Sequence, residues 1–219
     1  MSKIYIFSGL GVDKRVFDNI DFGNLDVTFV DWIDPVEKES LADYAKRISL
    51  KITADDPILI GLSFGGIIAV EISKILKTKK IILIASAKDK YELPSTYRLA
   101  GKLKLNQLIP KSVFKRQNFV TNWIFGIENE TEKKLLKSIL LDTDPYFFSW
   151  AINEIVHWKN EIGPENTIHI HGNKDRIIPI RNVKTDFVIE GGGHFMTVYK
   201  PEEIGKIILT LLHDFIVII

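Results

Sequence analysis

Short apolar runs recur along the chain at residues 4–7, 27–30, 57–60, 80–84, 167–170 and 185–189. They are rich in Ile and Val and mostly do not alternate with polar residues, the pattern of strands buried on both faces of a parallel sheet. Helical segments lie between them. Ser40 reads as an N-cap, with Leu41, Ala45, Ile48 and Ile52 on one apolar face behind it. A helix is predicted over 64–77, and Pro201 opens a last one carrying Ile204, Ile207, Ile208 and Leu211. Strand alternating with helix predicts an α/β fold with right-handed crossovers: a mostly parallel sheet of about six strands with helices on both faces.

The alternation stops between residues 91 and 161, where no strand is readable. Amphipathic helical segments replace it, one opened by Asn129 with Glu132 as a capping pair and another by Asp144-Pro145. So long a helical stretch is no ordinary crossover. It reads as a cap standing over the strand ends, dividing the chain into a core of residues 1–90 and 162–219 and a helical cap insertion of residues 91–161. No internal repeat or low-complexity segment interrupts this organisation.

The 219 residues suit one core with a modest insertion, and a hydrophobic share of 46% excludes a disordered chain. A net charge of +1, from 29 basic and 28 acidic residues, gives no global reason to expect nucleic acid. Without cysteine there can be no disulfide, thiolate metal site or cysteine nucleophile, and the absence fits a reducing compartment. The apolar stretch after Met1-Ser2-Lys3 is too short for a signal peptide. The closest approach to a membrane span, residues 207–219, is broken by His213 and Asp214. A soluble cytoplasmic protein with no membrane partner is expected; the oligomeric state is open.

Within this frame, Gly61-Leu62-Ser63-Phe64-Gly65 falls between a strand and a helix. Gly-x-Ser-x-Gly in that setting is a nucleophile elbow, a sharp turn that lifts the serine hydroxyl above the end of the sheet. A serine hydroxyl attacks only when a base takes its proton, and the base needs an acid to orient it. Asp175 follows the strand ending near Ile170, and His194 follows the last strand behind three glycines. Parallel strands end on one edge, so Ser63, Asp175 and His194 should converge there, in the chain order that goes with this elbow.

These segments, with His171-Gly172-x-x-Asp175-x-x-x-Pro179 and Gly193-His194-Phe195, give the chain a resemblance to the α/β-hydrolases of the small, capped kind, essentially from end to end. The resemblance implies Ser63 as nucleophile, His194 as general base and then acid, and Asp175 as the orienting carboxylate. Asp89, beyond the fourth strand, occupies an alternative acid position in that family. Relative to the family the first two strands are missing, which leaves a minimal core. The oxyanion hole would take one backbone N–H from Phe64 and one from Leu10, in the loop Ser8-Gly9-Leu10-Gly11. Relatives usually carry histidine where this chain has Ser8; a backbone donor survives that change, whereas a transfer of substrate does not.

His169 and His171 read as satisfied structural histidines, and no His/Asp/Glu cluster has metal spacing. No cofactor is implied. The cap is rich in aromatic residues, of which Trp123, Phe147 and Trp150 are the candidates for an apolar substrate pocket. Lys102, Lys104, Lys111, Lys115 and Arg116 form a basic stretch that reads as a solvated face, the other reading being a contact for an anionic substrate group. The expected activity is cleavage of an ester or similar acyl bond in a small, partly apolar substrate. A thioesterase, a cofactor-free lyase or C–C hydrolase, and a noncatalytic binding protein of the same fold are the alternatives. A dehalogenase would need a carboxylate at position 63.

Overall fold

Successive side chains of the central strands feed two different apolar layers, as period-two geometry requires. In the computed structural model, which describes residues 3–108, 110 and 117–213, β1 (Ile4–Phe7) sends Ile4 and Ile6 to one layer and Tyr5 and Phe7 to the other. β3 (Ile58–Leu62) and β4 (Lys80–Ile84) divide likewise, with Ile58, Ile60 and Ile82 opposite Leu59, Ile81 and Leu83. Burial on both faces is why these runs lack polar alternation. With β2 (Val27–Phe29), β5 (Thr167–Gly172) and β6 (Phe187–Ile189) they form one six-stranded sheet in the order β2-β1-β3-β4-β5-β6, every neighbouring pair parallel. The edge strand β6 starts two residues later than its apolar run suggests. Before it, side chains serve β5 instead: Thr185 Oγ1 donates to the His169 carbonyl at 2.7 Å, and Asp186 Oδ2 accepts the His169 N–H at 2.8 Å.

One face of the sheet is covered by α1 (Leu41–Ser49) and α2 (Phe64–Ser73), the other by α8 (Pro201–His213) through Ile204, Ile208 and Leu212. A short helix, α7 (Met196–Tyr199), precedes α8. Ser40 caps α1 by accepting the Asp43 N–H at 3.1 Å. α2 is buried nearly all round, between the sheet and α1, so apart from Glu71 and Ser73 its residues are apolar or glycine on every side. It stops at Ser73, short of the predicted end. There Ser73 Oγ donates back to the Val70 carbonyl, and the Ile75 and Leu76 N–H groups both turn onto Ile72.

Between β4 and β5 run α3 (Ser95–Lys102), α4 (Phe119–Phe125), α5 (Glu130–Asp142) and α6 (Pro145–Val156). Asn129 caps α5 and Asp144 caps α6, through side-chain oxygens that accept the Glu132 and Tyr146 N–H groups. The buried side chains of this segment join the two layers already described. Leu136, Ile139 and Leu140 pack with the α8 layer, and Phe147, Ala151 and Trp158 with the α1–α2 layer. Among the described residues no helix is long and apolar enough to cross a membrane.

Candidate active site

β3 hands over to α2 within a single residue, Ser63, whose φ of 52° and ψ of −119° no ordinary L-residue prefers. Such a conformation costs about 1–3 kcal/mol and persists only where its surroundings hold it. Here the Ser63 N–H donates to the Ile84 carbonyl at 2.9 Å, while the Ser63 carbonyl accepts the Gly66 N–H at 2.9 Å and the Ser86 hydroxyl at 2.6 Å. The turn is also tight. A Cβ on residue 61 would overlap the Gly65–Gly66 backbone, and one on residue 65 would overlap the carbonyl oxygens of Phe7 and Ser8. Backbone cannot yield as a side-chain tip can. Gly65→Ala should therefore cost about 3 kcal/mol or more, a fall in Tm of roughly 6–12 °C for a chain of this size. Calorimetry checks it, and an unchanged Tm would refute the steric account.

His194 is delivered by the loop after β6. Gly172, at the end of β5, lies so close to Gly192 that a side chain there would strike its carbonyl, and the Gly193 N–H donates to the Tyr199 hydroxyl. The imidazole Nε2 then stands 2.8 Å from Ser63 Oγ, and Nδ1 stands 2.7 Å from Asp175 Oδ2. A carboxylate only accepts, so the proton sits on Nδ1 and Nε2 is free to accept the serine proton. Asp175 Oδ1 accepts the N–H groups of Ile177 at 2.8 Å and Ile178 at 2.9 Å. Burial pushes the Asp175 carboxyl up, but His194 and the N–H donors outweigh it and hold it below its ordinary range. Asp89 is elsewhere. Its Oδ1 accepts the Tyr91 and Glu92 N–H groups in the turn after β4, so the structure brings Asp175 and not Asp89 to His194.

His169 and His171 are fully buried on one face of β5. His171 Nε2 donates to the Ile178 carbonyl at 2.8 Å, bracing the turn that carries Asp175, and lies 3.5 Å from Asp175 Oδ2. Its Nδ1 must then accept from His169 Nε2, 3.1 Å away. The expectation of two satisfied histidines holds for His171 only. His169 Nδ1 has no hydrogen-bond partner among the described residues, and the Glu92 carboxylate is 3.9 Å off. Burial and the neighbouring His171 push His169 down to about 3, so it is neutral at ordinary pH.

Ser63 and His194 open into a cavity of about 470 Å³ whose walls include Leu10, Phe64, Phe125, Phe148, Ile152 and Ile178. Among the described residues no Asp, Glu, Lys or Arg lines it. The Leu10 and Phe64 N–H groups, both on residues of this wall, have no protein acceptor among the described residues. Gly9 brings the first loop against the elbow, where a Cβ would sit 3.4 Å from Ser63 Cβ. A smaller hollow of about 190 Å³, beside Asp13, Asp34, Asp142 and Asp144, does not include the serine.

The three aromatic pocket candidates are corrected by this geometry. None of Trp123, Phe147 and Trp150 lines the cavity. α6 turns Phe148, Ile152, Ile155 and Val156 inward, at helical spacing, which puts Phe147, Trp150 and Glu154 on its opposite side. There Trp150 packs at a tilt against Tyr44 with ring centres 4.5 Å apart and donates from Nε1 to the Glu39 carbonyl, while Glu154 accepts the Leu41 N–H. Phe147 packs among Trp32, Tyr44 and Phe64. Trp123 is half exposed beneath the Arg176 guanidinium, 4.6 Å from its ring centre. Spacing shows both apolar stripes of α6, and aromatic content alone points to the one that faces away from the cavity. Lys102 and Lys104 are exposed and away from the cavity wall, and Lys111, Lys115 and Arg116 lie outside the described residues.

No protein-family model matches the chain, and no curated protein matches it by sequence. Solved structures do. A thermophilic esterase from Thermogutta terrifontis aligns over 98% of this chain and 90% of its own, with TM-score 0.64 and 16% identity. MenH from S. aureus aligns over 97% and 94%, with TM-score 0.70 and 18% identity. A meta-cleavage product hydrolase from Pseudomonas fluorescens aligns over 98% and 91%, with TM-score 0.67 and 13% identity. The chain has the α/β-hydrolase fold.

Proposed function

We propose that this protein is a serine hydrolase that cleaves an ester or related acyl bond in a small, partly apolar substrate. The observation that carries the reading is the unbroken line of hydrogen bonds from Ser63 through His194 to Asp175, at the wall of a cavity that no Asp, Glu, Lys or Arg lines among the described residues. Among the solved neighbours, the Thermogutta terrifontis esterase and the Pseudomonas fluorescens hydrolase agree with it.

In this reading Ser63 Oγ attacks the acyl carbon as its proton passes to His194 Nε2, and Asp175 stabilises the resulting imidazolium. The Leu10 and Phe64 N–H groups hold the developing oxyanion. Collapse of the tetrahedral intermediate breaks the bond to the leaving group, which takes the proton from His194 and departs, leaving an acyl-enzyme on Ser63. Water then attacks the acyl carbon, giving one proton to His194. The second collapse frees the acid and returns that proton to Ser63 Oγ. No step calls for a cofactor. The cysteine-free composition makes a cytoplasmic location part of the proposal.

A fluorophosphonate probe tests the reading: it should label the protein at Ser63 and leave Ser63→Ala unlabelled. A folded protein that takes no label is the noncatalytic binder instead. The cavity makes a second prediction. Each added acyl methylene gains about 0.8 kcal/mol on burial, so kcat/KM for p-nitrophenyl esters should rise about fourfold per methylene until the cavity is full. A carboxylate at the far end of the chain should erase that gain, because no cation in the described wall would offset its desolvation. A flat chain-length profile, or equal turnover of the carboxylated ester, would count against an acyl chain seated here.

A further inference from the structure

We infer that Ser86 is a positioning residue for the oxyanion hole, acting through the peptide that joins Ser63 to Phe64. The inference rests on the acyl-transfer reading above and extends it to a residue outside the Ser63–His194–Asp175 line.

Ser86 follows β4 and is fully buried. Its hydroxyl donates to the Ser63 carbonyl at 2.6 Å, shorter than either bond that carbonyl receives from α2, the Gly66 N–H at 2.9 Å and the Ile67 N–H at 3.3 Å. The elbow is shaped around this contact. A Cβ on Gly66 would strike Ser86 Oγ and Cβ, so glycine at 66 leaves the hydroxyl its place.

The Ser63 carbonyl and the Phe64 N–H belong to one peptide unit. That unit is planar and trans, so the two groups point in opposite directions and neither can turn without the other. A hydroxyl fixed on the carbonyl therefore fixes where the Phe64 N–H points. Drawing electron density toward the carbonyl oxygen also makes the N–H a stronger donor, the cooperative effect of hydrogen bonds in series. The backbone turn alone would leave the plane to the first bonds of α2 and to a strained residue. Ser86 adds a third, short anchor from the segment just after β4, aimed along the axis on which the oxyanion donor lies. Its effect should fall on the transition state, where charge develops, and leave ground-state binding in the apolar cavity almost untouched.

The test uses Ser86→Ala and Ser86→Cys in the full chain, the second retaining a weak donor of similar size. Three readouts are needed: steady-state kinetics on a p-nitrophenyl ester, the rate and stoichiometry of fluorophosphonate labelling, and affinity for a trifluoromethyl ketone with the same acyl chain. Ser86→Ala should label to full stoichiometry but about tenfold more slowly, with kcat reduced by a similar factor and KM within about twofold. Ketone affinity should fall in parallel, Ser86→Cys should lie between Ser86→Ala and wild type, and the midpoints of the pH profile should not move. Unchanged kcat, labelling rate and ketone affinity in Ser86→Ala would overturn the inference. So would a loss confined to labelling stoichiometry, which reports misfolded molecules and a merely structural role. A wild-type protein that neither labels nor turns over would remove the acyl-transfer reading and this inference with it, a pattern distinct from an active wild type beside an unaffected variant.

Discussion

Ser63→Ala should lower kcat by about 10⁵-fold or more on any ester the wild type cleaves, with KM within a few-fold. The change removes one oxygen and leaves the cavity wall intact, so substrate still binds while no atom remains to form the acyl-enzyme. The same position should also separate activity from stability. Ser63 is held at φ 52° and ψ −119°, a conformation glycine enters without a Cβ penalty. Ser63→Gly should therefore be inactive and yet more stable than Ser63→Ala, by about 1 kcal/mol, or roughly 2–4 °C in Tm. Kinetics and calorimetry on the same two preparations check both halves. Residual turnover above about one per cent in clean Ser63→Ala would remove the serine from the mechanism. Equal melting of the two variants would show that the elbow carries no strain for glycine to relieve.

Such an elbow was legible because its requirements are local: two glycines, a serine, and the switch from strand to helix all sit in one short string. The sheet was legible for a similar reason. Strands buried on both faces, such as Ile4–Phe7 and Ile58–Leu62, must be apolar at every position, so the run itself reports the environment. What the string does not encode is contact between elements. Ser86 looks like any small residue after a strand, and only the folded chain brings its hydroxyl to the Ser63 carbonyl. His169 likewise reads as an ordinary strand histidine, although its buried Nδ1 has no hydrogen-bond partner among the described residues. In the helices between β4 and β5 the sequence offers two apolar faces on α6 and no rule for choosing between them. Packing chooses: Trp150 finds the Glu39 carbonyl just before α1, Glu154 finds the Leu41 N–H at its first residue, and that rotation turns Phe148 and Ile152 to the cavity. Composition identified the helix that matters and missed the face.

The identity of the acid should be decided by a second large effect. Asp175→Asn should reduce kcat/KM by about 10⁴-fold near neutral pH, and the geometry says why so isosteric a change is so damaging. Asp175 Oδ1 accepts two N–H groups, from Ile177 and Ile178, so an asparagine must keep its carbonyl oxygen there. Its amide nitrogen then faces His194 Nδ1, where the wild type presents a carboxylate oxygen at 2.7 Å. A donor in that place forces the histidine into the other tautomer, with its proton on Nε2 aimed at the Ser63 hydroxyl it should deprotonate. The base is present, correctly placed and blocked. Asp89→Asn has no such consequence. Its carbonyl oxygen can still accept the Tyr91 and Glu92 N–H groups, so the turn after β4 keeps its shape and activity should stay within about twofold. Matched kinetics on the two variants, each checked for an unchanged melting transition, make the comparison. If Asp89→Asn lost as much as Asp175→Asn, the acid would have to reach His194 by a rearrangement of the β4 turn, and the hydrogen-bond line described here would not be the one that works.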